Sequence, residues 1–188
     1  MLAALTGLGD AALLLPLAAT IFLWLSLSGA ARAAAWWTFS IVVCGGVTAV
    51  LKIFFWGCPP VADLHSPSGH TSLSTLVYGA LGLIVAVDGG RWRATVAAVA
   101  ASLLIVAIAV SRVLLDMHSI PEVVLGWIIG GAALAFFGRC YSRWRPARPR
   151  LAPLLVGAAV LAALLHGSEL RAEELFHRLS RYLGIGCH

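Results

Sequence analysis

The sequence predicts an all-α, polytopic membrane protein with six transmembrane helices and a C-terminal amphipathic helix, organised as a single domain over residues 1–188. Three observations predict it. Hydrophobic residues make up 61% of the 188 positions and charged residues 11%, against about 25% charged in ordinary globular proteins. The mean hydropathy is +0.95. Six apolar stretches each approach the roughly 20 residues that one bilayer crossing requires. Little chain remains for a separate soluble domain, and disordered, fibrous and disulfide-scaffold classes are excluded.

The first span is expected at about 11–30. Ser28-Gly29-Ala30 has the look of a signal-peptide cleavage site, but no Lys or Arg precedes Arg32, so the segment is expected to stay as a span. The second covers about 35–57, with Lys52 near its far end, and the third about 71–87. The fourth covers about 94–115, the fifth about 121–137, starting at Pro121, and the sixth about 151–166. Gly126-x-x-x-Gly130, with Gly131, reads as a notch for close helix packing. Trp36, Trp37, Trp56 and Trp92 fall at span ends, as an interfacial aromatic belt would. Over about 168–183, Leu170, Leu175, Phe176, Leu179 and Leu183 recur at helical spacing among charged residues, the pattern of a surface helix.

The net charge of +5 might on a soluble chain suggest nucleic acid, but here the basic residues cluster at the ends of apolar stretches, so no nucleic-acid partner is expected. Arg32, Arg91, Arg93, Arg139, Arg143, Arg145, Arg148 and Arg150 all fall on one side of a six-span layout. Lys52, Arg112, Arg171, Arg178, Arg181 and every acidic residue except Asp88 fall on the other. The positive-inside rule then places the 58–70 and 112–120 loops and both termini outside. The run from Arg139 to Arg150 reads as an anchor to anionic membrane lipids. Cys44, Cys58, Cys140 and Cys187 show no CxxC spacing, so no metal knuckle or redox pair is expected. Pairing of Cys58 with Cys187 stays open, because sequence spacing fixes no distance.

Two clusters on the outer side concentrate the ionisable residues. One runs from Lys52 to His70, the other from Ser111 to Glu122. Charges at membrane depth are costly and mark functional sites or wet cavities. Ser68-Gly69-His70 opens the third span, so the unpaired N–H groups and positive dipole end of that helix face outward and suit an anion. Lys52 and Arg112 add two cations, and Arg presents a fork that matches phosphate oxygens. His70 and His118 can divide nucleophile and acid roles, and Glu122, four residues beyond His118, can orient its imidazole. The set describes a phosphoryl-transfer site that calls for no metal and no cofactor. Each residue also has a structural reading: Ser68 as a helix cap, Ser119-x-x-Glu122 as a capping box, Lys52 as a snorkelling side chain and Arg112 as an interfacial anchor.

These residues resemble the type-2 phosphatidic acid phosphatase superfamily of membrane lipid phosphatases, whose signature is Lys-x6-Arg-Pro, Pro-Ser-Gly-His and Ser-Arg-x5-His-x3-Asp. This chain has Lys52-x6-Pro59-Pro60, Pro67-Ser68-Gly69-His70 and Ser111-Arg112-x5-His118-x3-Glu122. The resemblance implies that His118 attacks phosphorus, that Glu122 orients it, and that His70 protonates the leaving oxygen and then activates water. It implies that Lys52, Ser68, Gly69 and Arg112 hold the phosphate oxygens. Two positions depart from the signature: Pro59 stands where the family has arginine, and Glu122 where it has aspartate. His65 is the nearest replacement for the missing cation.

By the same resemblance the chain is expected in a bacterial inner membrane with its site facing the periplasm. Its substrate would be a lipid phosphate such as undecaprenyl diphosphate, phosphatidylglycerol phosphate or phosphatidate. Three alternatives are a lipid phosphotransferase using the same intermediate, a serine hydrolase using Ser68 with His118, and a weakened or non-catalytic lipid-binding member. Oligomeric state is not legible in the sequence.

Overall fold

The computed structural model describes residues 2–57, 60, 64–147 and 149–165. Pro59, the two cysteines Cys58 and Cys187, and the surface helix expected over 168–183 lie outside the described residues. Among the described residues all regular structure is helical: α1 (Leu2–Gly7), α2 (Ala11–Leu27), α3 (Ala31–Gly57), α4 (Gly69–Asp88), α5 (Arg91–Leu114), α6 (Ile120–Trp144) and α7 (Leu151–Leu165).

Side chains and glycines set the helix ends. Asp10 caps α2 by accepting from the Ala12 N–H at 2.8 Å, and Ser68 caps α4. Ser119 and Glu122 form a complete capping box on α6, with Pro121 in its first turn. Gly29 and Gly90 take left-handed φ values of 77° and 82° at the α2–α3 and α4–α5 turns, where a Cβ would be strained. α6 runs on past the expected end of the span at 137 to Trp144, with Arg143 in its last turn complementing the negative end of its dipole.

Among the described residues, four helices are long and apolar enough to cross a membrane: Ala31–Phe55, Gly69–Asp88, Arg91–Leu114 and Ile120–Trp144. The expected first and last spans are the shorter apolar helices α2, with 17 residues, and α7, with 15. At 1.5 Å per residue the 17 residues of α2 cover about 26 Å, against a hydrocarbon core of about 30 Å. The chain is therefore a multi-pass helical membrane protein with four spans of full length, and the count of six is not reached by length alone.

α4 is the central helix, packed on α2, α3, α5 and α6. Its neighbours approach closely through small residues. A Cβ built on Gly130 would lie 2.3 Å from the Ser72 carbonyl oxygen, and one on Gly126 would lie 2.7 Å from that of Ser68. On the other face, a Cβ on Gly82 would sit 3.0 Å from that of Ala101 in α5. Lipid tails are as apolar as leucine, so such close packing has to supply the cohesion that water supplies elsewhere. Gly131, by contrast, has open space around it and takes no part in the notch.

The tryptophan belt needs one correction. Trp36 and Trp92 are exposed, but Trp37 is 1% exposed. Its indole packs 4.9 Å from the Phe137 ring and donates to the Ala18 carbonyl at 2.8 Å. A satisfied N–H lets the ring join the apolar core, so Trp37 ties α2, α3 and α6 together and is not interfacial.

The two ends of the bundle differ in chemistry. At one end Arg145 binds Asp88 at 2.6 Å, Tyr141 donates to the same carboxylate, and Arg32 stacks 4.4 Å above the Trp144 ring. The other end gathers the C-terminal turns of α3 and α5 and the N-termini of α4 and α6. That end carries the candidate site.

Candidate active site

The segment preceding α4 and the start of α6 are joined through Glu122. The Ser68 N–H donates to the Glu122 backbone carbonyl at 3.1 Å. The Glu122 side chain binds on both sides: Oε1 accepts from the backbone N–H groups of His65 at 2.9 Å and Ser66 at 2.8 Å. Oε2 lies 2.7 Å from His118 Nδ1 and accepts from the Ser119 N–H at 3.1 Å. Glu122 is buried, and three backbone N–H donors and the His118 ring satisfy its carboxylate. The capping box and the contact with the His118 ring therefore belong to one side chain.

His118 is held from the backbone as well. After α5 the chain turns at Asp116, whose φ of 53° is in the left-handed region. The Arg112 carbonyl then accepts from the N–H groups of Met117 at 3.0 Å and His118 at 3.2 Å. With Nδ1 on Glu122, the second ring nitrogen, Nε2, is directed elsewhere and is itself buried. A carboxylate on one ring nitrogen fixes the tautomer and orientation of an imidazole, as the buried Asp does for the histidine of a Ser-His-Asp triad.

The two cations are sequestered. Lys52 is 4% exposed and Arg112 5%, so neither is a snorkelling or interfacial side chain. Lys52 reaches under the start of α4, where a Cβ on Gly69 would lie 3.8 Å from its Cε. Arg112 Nη1 donates to Thr6 Oγ1 at 3.2 Å and contacts Met117 Sδ at 2.8 Å. Ser68 is fully buried, and its Oγ accepts from the Thr71 hydroxyl at 3.0 Å and the Thr71 N–H at 3.4 Å. It caps α4, leaving the outward N–H groups of the first turn as the anion-facing feature.

Of the seven residues expected from the sequence, His118 meets Glu122, the Glu122 carbonyl accepts from the Ser68 N–H, the Arg112 carbonyl accepts from the His118 N–H and Lys52 lies under Gly69, while His70 is met by Asp10. His65 is placed differently: its backbone N–H supports Glu122, while its side chain is exposed. A further wall, absent from the sequence reading, comes from the N-terminus. Thr6 meets Arg112, and the turn at Gly9 and Asp10 lies against His70, with Asp10 Oδ2 3.6 Å from His70 Nε2. The signal available in the sequence was a lone acidic residue before an apolar helix, which reads first as a cap.

The structure is that of a helical membrane bundle with Lys52, Arg112, His70, His118 and the N-terminus of α4 at one end. Residues 33–146, more than half of the chain, match the PAP2 superfamily, and the chain belongs to it. Members of that superfamily are phosphatases, which supports a hydrolase. The chain is also 29% identical over 133 residues to an uncharacterized 22.5 kDa protein in the cps region of Klebsiella pneumoniae. That match covers 69% of this chain and 64% of the relative, so the chain spans just under two thirds of the relative's length. No solved structure matches.

Proposed function

We propose that the protein is a lipid phosphate or diphosphate phosphatase that works through a phosphohistidine on His118. The observation that carries this reading is the 2.7 Å contact of His118 Nδ1 with a four-fold hydrogen-bonded Glu122, in a chain that also buries Lys52 and Arg112 at helix ends. In the first step the lone pair of His118 Nε2 attacks phosphorus and the P–O bond to the leaving group breaks. His70 gives its proton to the departing oxygen, and Glu122 neutralises the imidazolium formed at His118. In the second step His70, now neutral, takes a proton from water as the water oxygen attacks phosphorus. The P–N bond breaks, and phosphate leaves with both histidines restored.

Lys52, Arg112, the Ser68 hydroxyl and the first N–H groups of α4 hold the equatorial oxygens, whose charge they stabilise as the transition state forms. A site at the end of the spans lets a lipid tail stay in the bilayer while its headgroup reaches the cations, which supports undecaprenyl diphosphate or a phosphatidyl-type lipid phosphate as substrate. The distribution of arginines supports an inner-membrane topology with the site outside.

The test is phosphate release from a panel of lipid mono- and diphosphates in detergent, comparing wild type with His118→Ala and analysing the organic product. Release of inorganic phosphate by wild type, abolished in the variant, is the expected result. Appearance of the phosphate on a second lipid would make the protein a phosphotransferase. No turnover of any panel member would overturn the reading.

A further inference from the structure

The turn between α1 and α2 brings His70 a carboxylate from outside the signature segments. Asp10 Oδ2 lies 3.6 Å from His70 Nε2, with the two side chains 8% and 19% exposed. The other oxygen, Oδ1, accepts from the Ala12 N–H at 2.8 Å. One oxygen therefore fixes the carboxylate to the start of α2 while the other faces the imidazole.

The turn is built into place by three other contacts. The Tyr78 hydroxyl of α4 donates to the Leu8 carbonyl at 2.7 Å. Thr6 Oγ1 accepts from Arg112 at 3.2 Å. Gly9 lies so close to the bundle that an added Cβ would stand 2.7 Å from Ile108 Cγ2 and 3.3 Å from both Cβ and Cδ2 of His70. Only the absence of a side chain at Gly9 lets the backbone carry Asp10 onto the ring.

We propose that Asp10 is a positioning residue for His70. Its carboxylate sets the rotation of the imidazole and the nitrogen that carries the fixed proton, as outer-shell carboxylates do for working histidines. The proton exchanged with the leaving oxygen, and later with water, then passes through the other nitrogen. At 3.6 Å the pair is wider than a hydrogen bond, and such contacts tighten when substrate binds. The inference rests on the reading of His70 as acid and base given above.

The competing role for Asp10 is capping alone, and chemistry separates the two. Asn and Ser cap helices about as well as Asp, so Asp10→Asn and Asp10→Ser preserve the cap and remove the charge. Full-length protein in detergent is assayed for kcat/KM on two monoesters of matched chain length. One is an alkyl phosphate, whose leaving alkoxide needs a proton. The other is an alkyl-substituted nitrophenyl phosphate, whose leaving group does not.

Both variants are expected to keep the wild-type thermal midpoint and to lose roughly 10- to 100-fold on the alkyl ester, a share of the 10²–10⁴ that general acid catalysis supplies. On the aryl ester the loss should be about threefold or less, and Asp10→Glu should recover part of the alkyl activity. Equal losses on both esters, or no loss on the alkyl ester, would overturn the proposal. Wild type inactive on both esters would bring down the phosphatase reading and this inference with it. Wild-type turnover that His118→Ala abolishes leaves that reading standing, so the Asp10 variants then decide the inference alone.

Discussion

Glu122 Oε2 lies 2.7 Å from His118 Nδ1, and the same carboxylate holds the backbone N–H groups of His65 and Ser66 through its other oxygen. One side chain thus meets the His118 imidazole and fixes the segment leading to Ser68; under the proposed function it orients the nucleophile. Glu122→Gln keeps the size but places an NH₂ donor against either the imidazole or the two N–H groups. We expect kcat/KM to fall about 10²- to 10⁴-fold, in the range seen when an orienting carboxylate is lost. Glu122→Asp, which restores the family residue, is one methylene too short for both sets of bonds. It should lower both activity and thermal midpoint, which steady-state kinetics and a thermal melt would show.

Gly69 separates fold from chemistry. A Cβ there would meet Lys52 Cε at 3.8 Å and Thr48 Cγ2 at 4.0 Å, ordinary contacts. Gly69→Ala should therefore leave the melting temperature unchanged. If phosphate approaches the backbone at this point, the methyl group obstructs it, and kcat/KM should drop by 10-fold or more. A melt beside an activity assay measures both.

Gly130 and Gly131 make a matched pair in the packing of α6 on α4. A methyl group on Gly130 would enter the Ser72 carbonyl oxygen at 2.3 Å, whereas Gly131 faces open space. Gly130→Ala should destabilise the bundle by about 1–3 kcal/mol and pull the start of α4 away from Glu122. Gly131→Ala should be neutral. Detergent-resistant thermal unfolding of the two variants checks the contrast.

Asp88 provides the control at the opposite end. Its carboxylate is buried between Arg145 and the Tyr141 hydroxyl. Asp88→Asn removes the charge from an ion pair whose Arg145 guanidinium is 46% exposed, and should cost about 1 kcal/mol or less in stability. The catalytic constants of the folded fraction should stay at wild-type values, since no site residue is touched.

What the sequence made legible was local. Lys52, the Ser68-Gly69-His70 helix start, and Arg112, His118 and Glu122 within one turn region could each be placed on a helix end from apolar runs and spacing alone. The features that escaped depend on contacts between distant segments. Thr6 and Arg112 are 106 positions apart, and Asp10 has a sufficient local role as the α2 cap, so nothing in the pattern pointed to His70. Trp37 was misplaced for a similar reason: its burial depends on Phe137 and the Ala18 carbonyl.

The central claim is a covalent phosphate on His118, and trapping it is the most direct test. Wild type, His70→Ala and His118→Ala would be mixed with phosphorus-labelled lipid phosphate, quenched in alkali and read for protein-bound label. A phosphoramidate survives alkali and is lost in acid. The account predicts alkali-stable, acid-labile label on wild type, strong accumulation in His70→Ala if an activated leaving group bypasses the missing acid, and none in His118→Ala. Turnover by wild type without such label, or label that persists in His118→Ala, would contradict it.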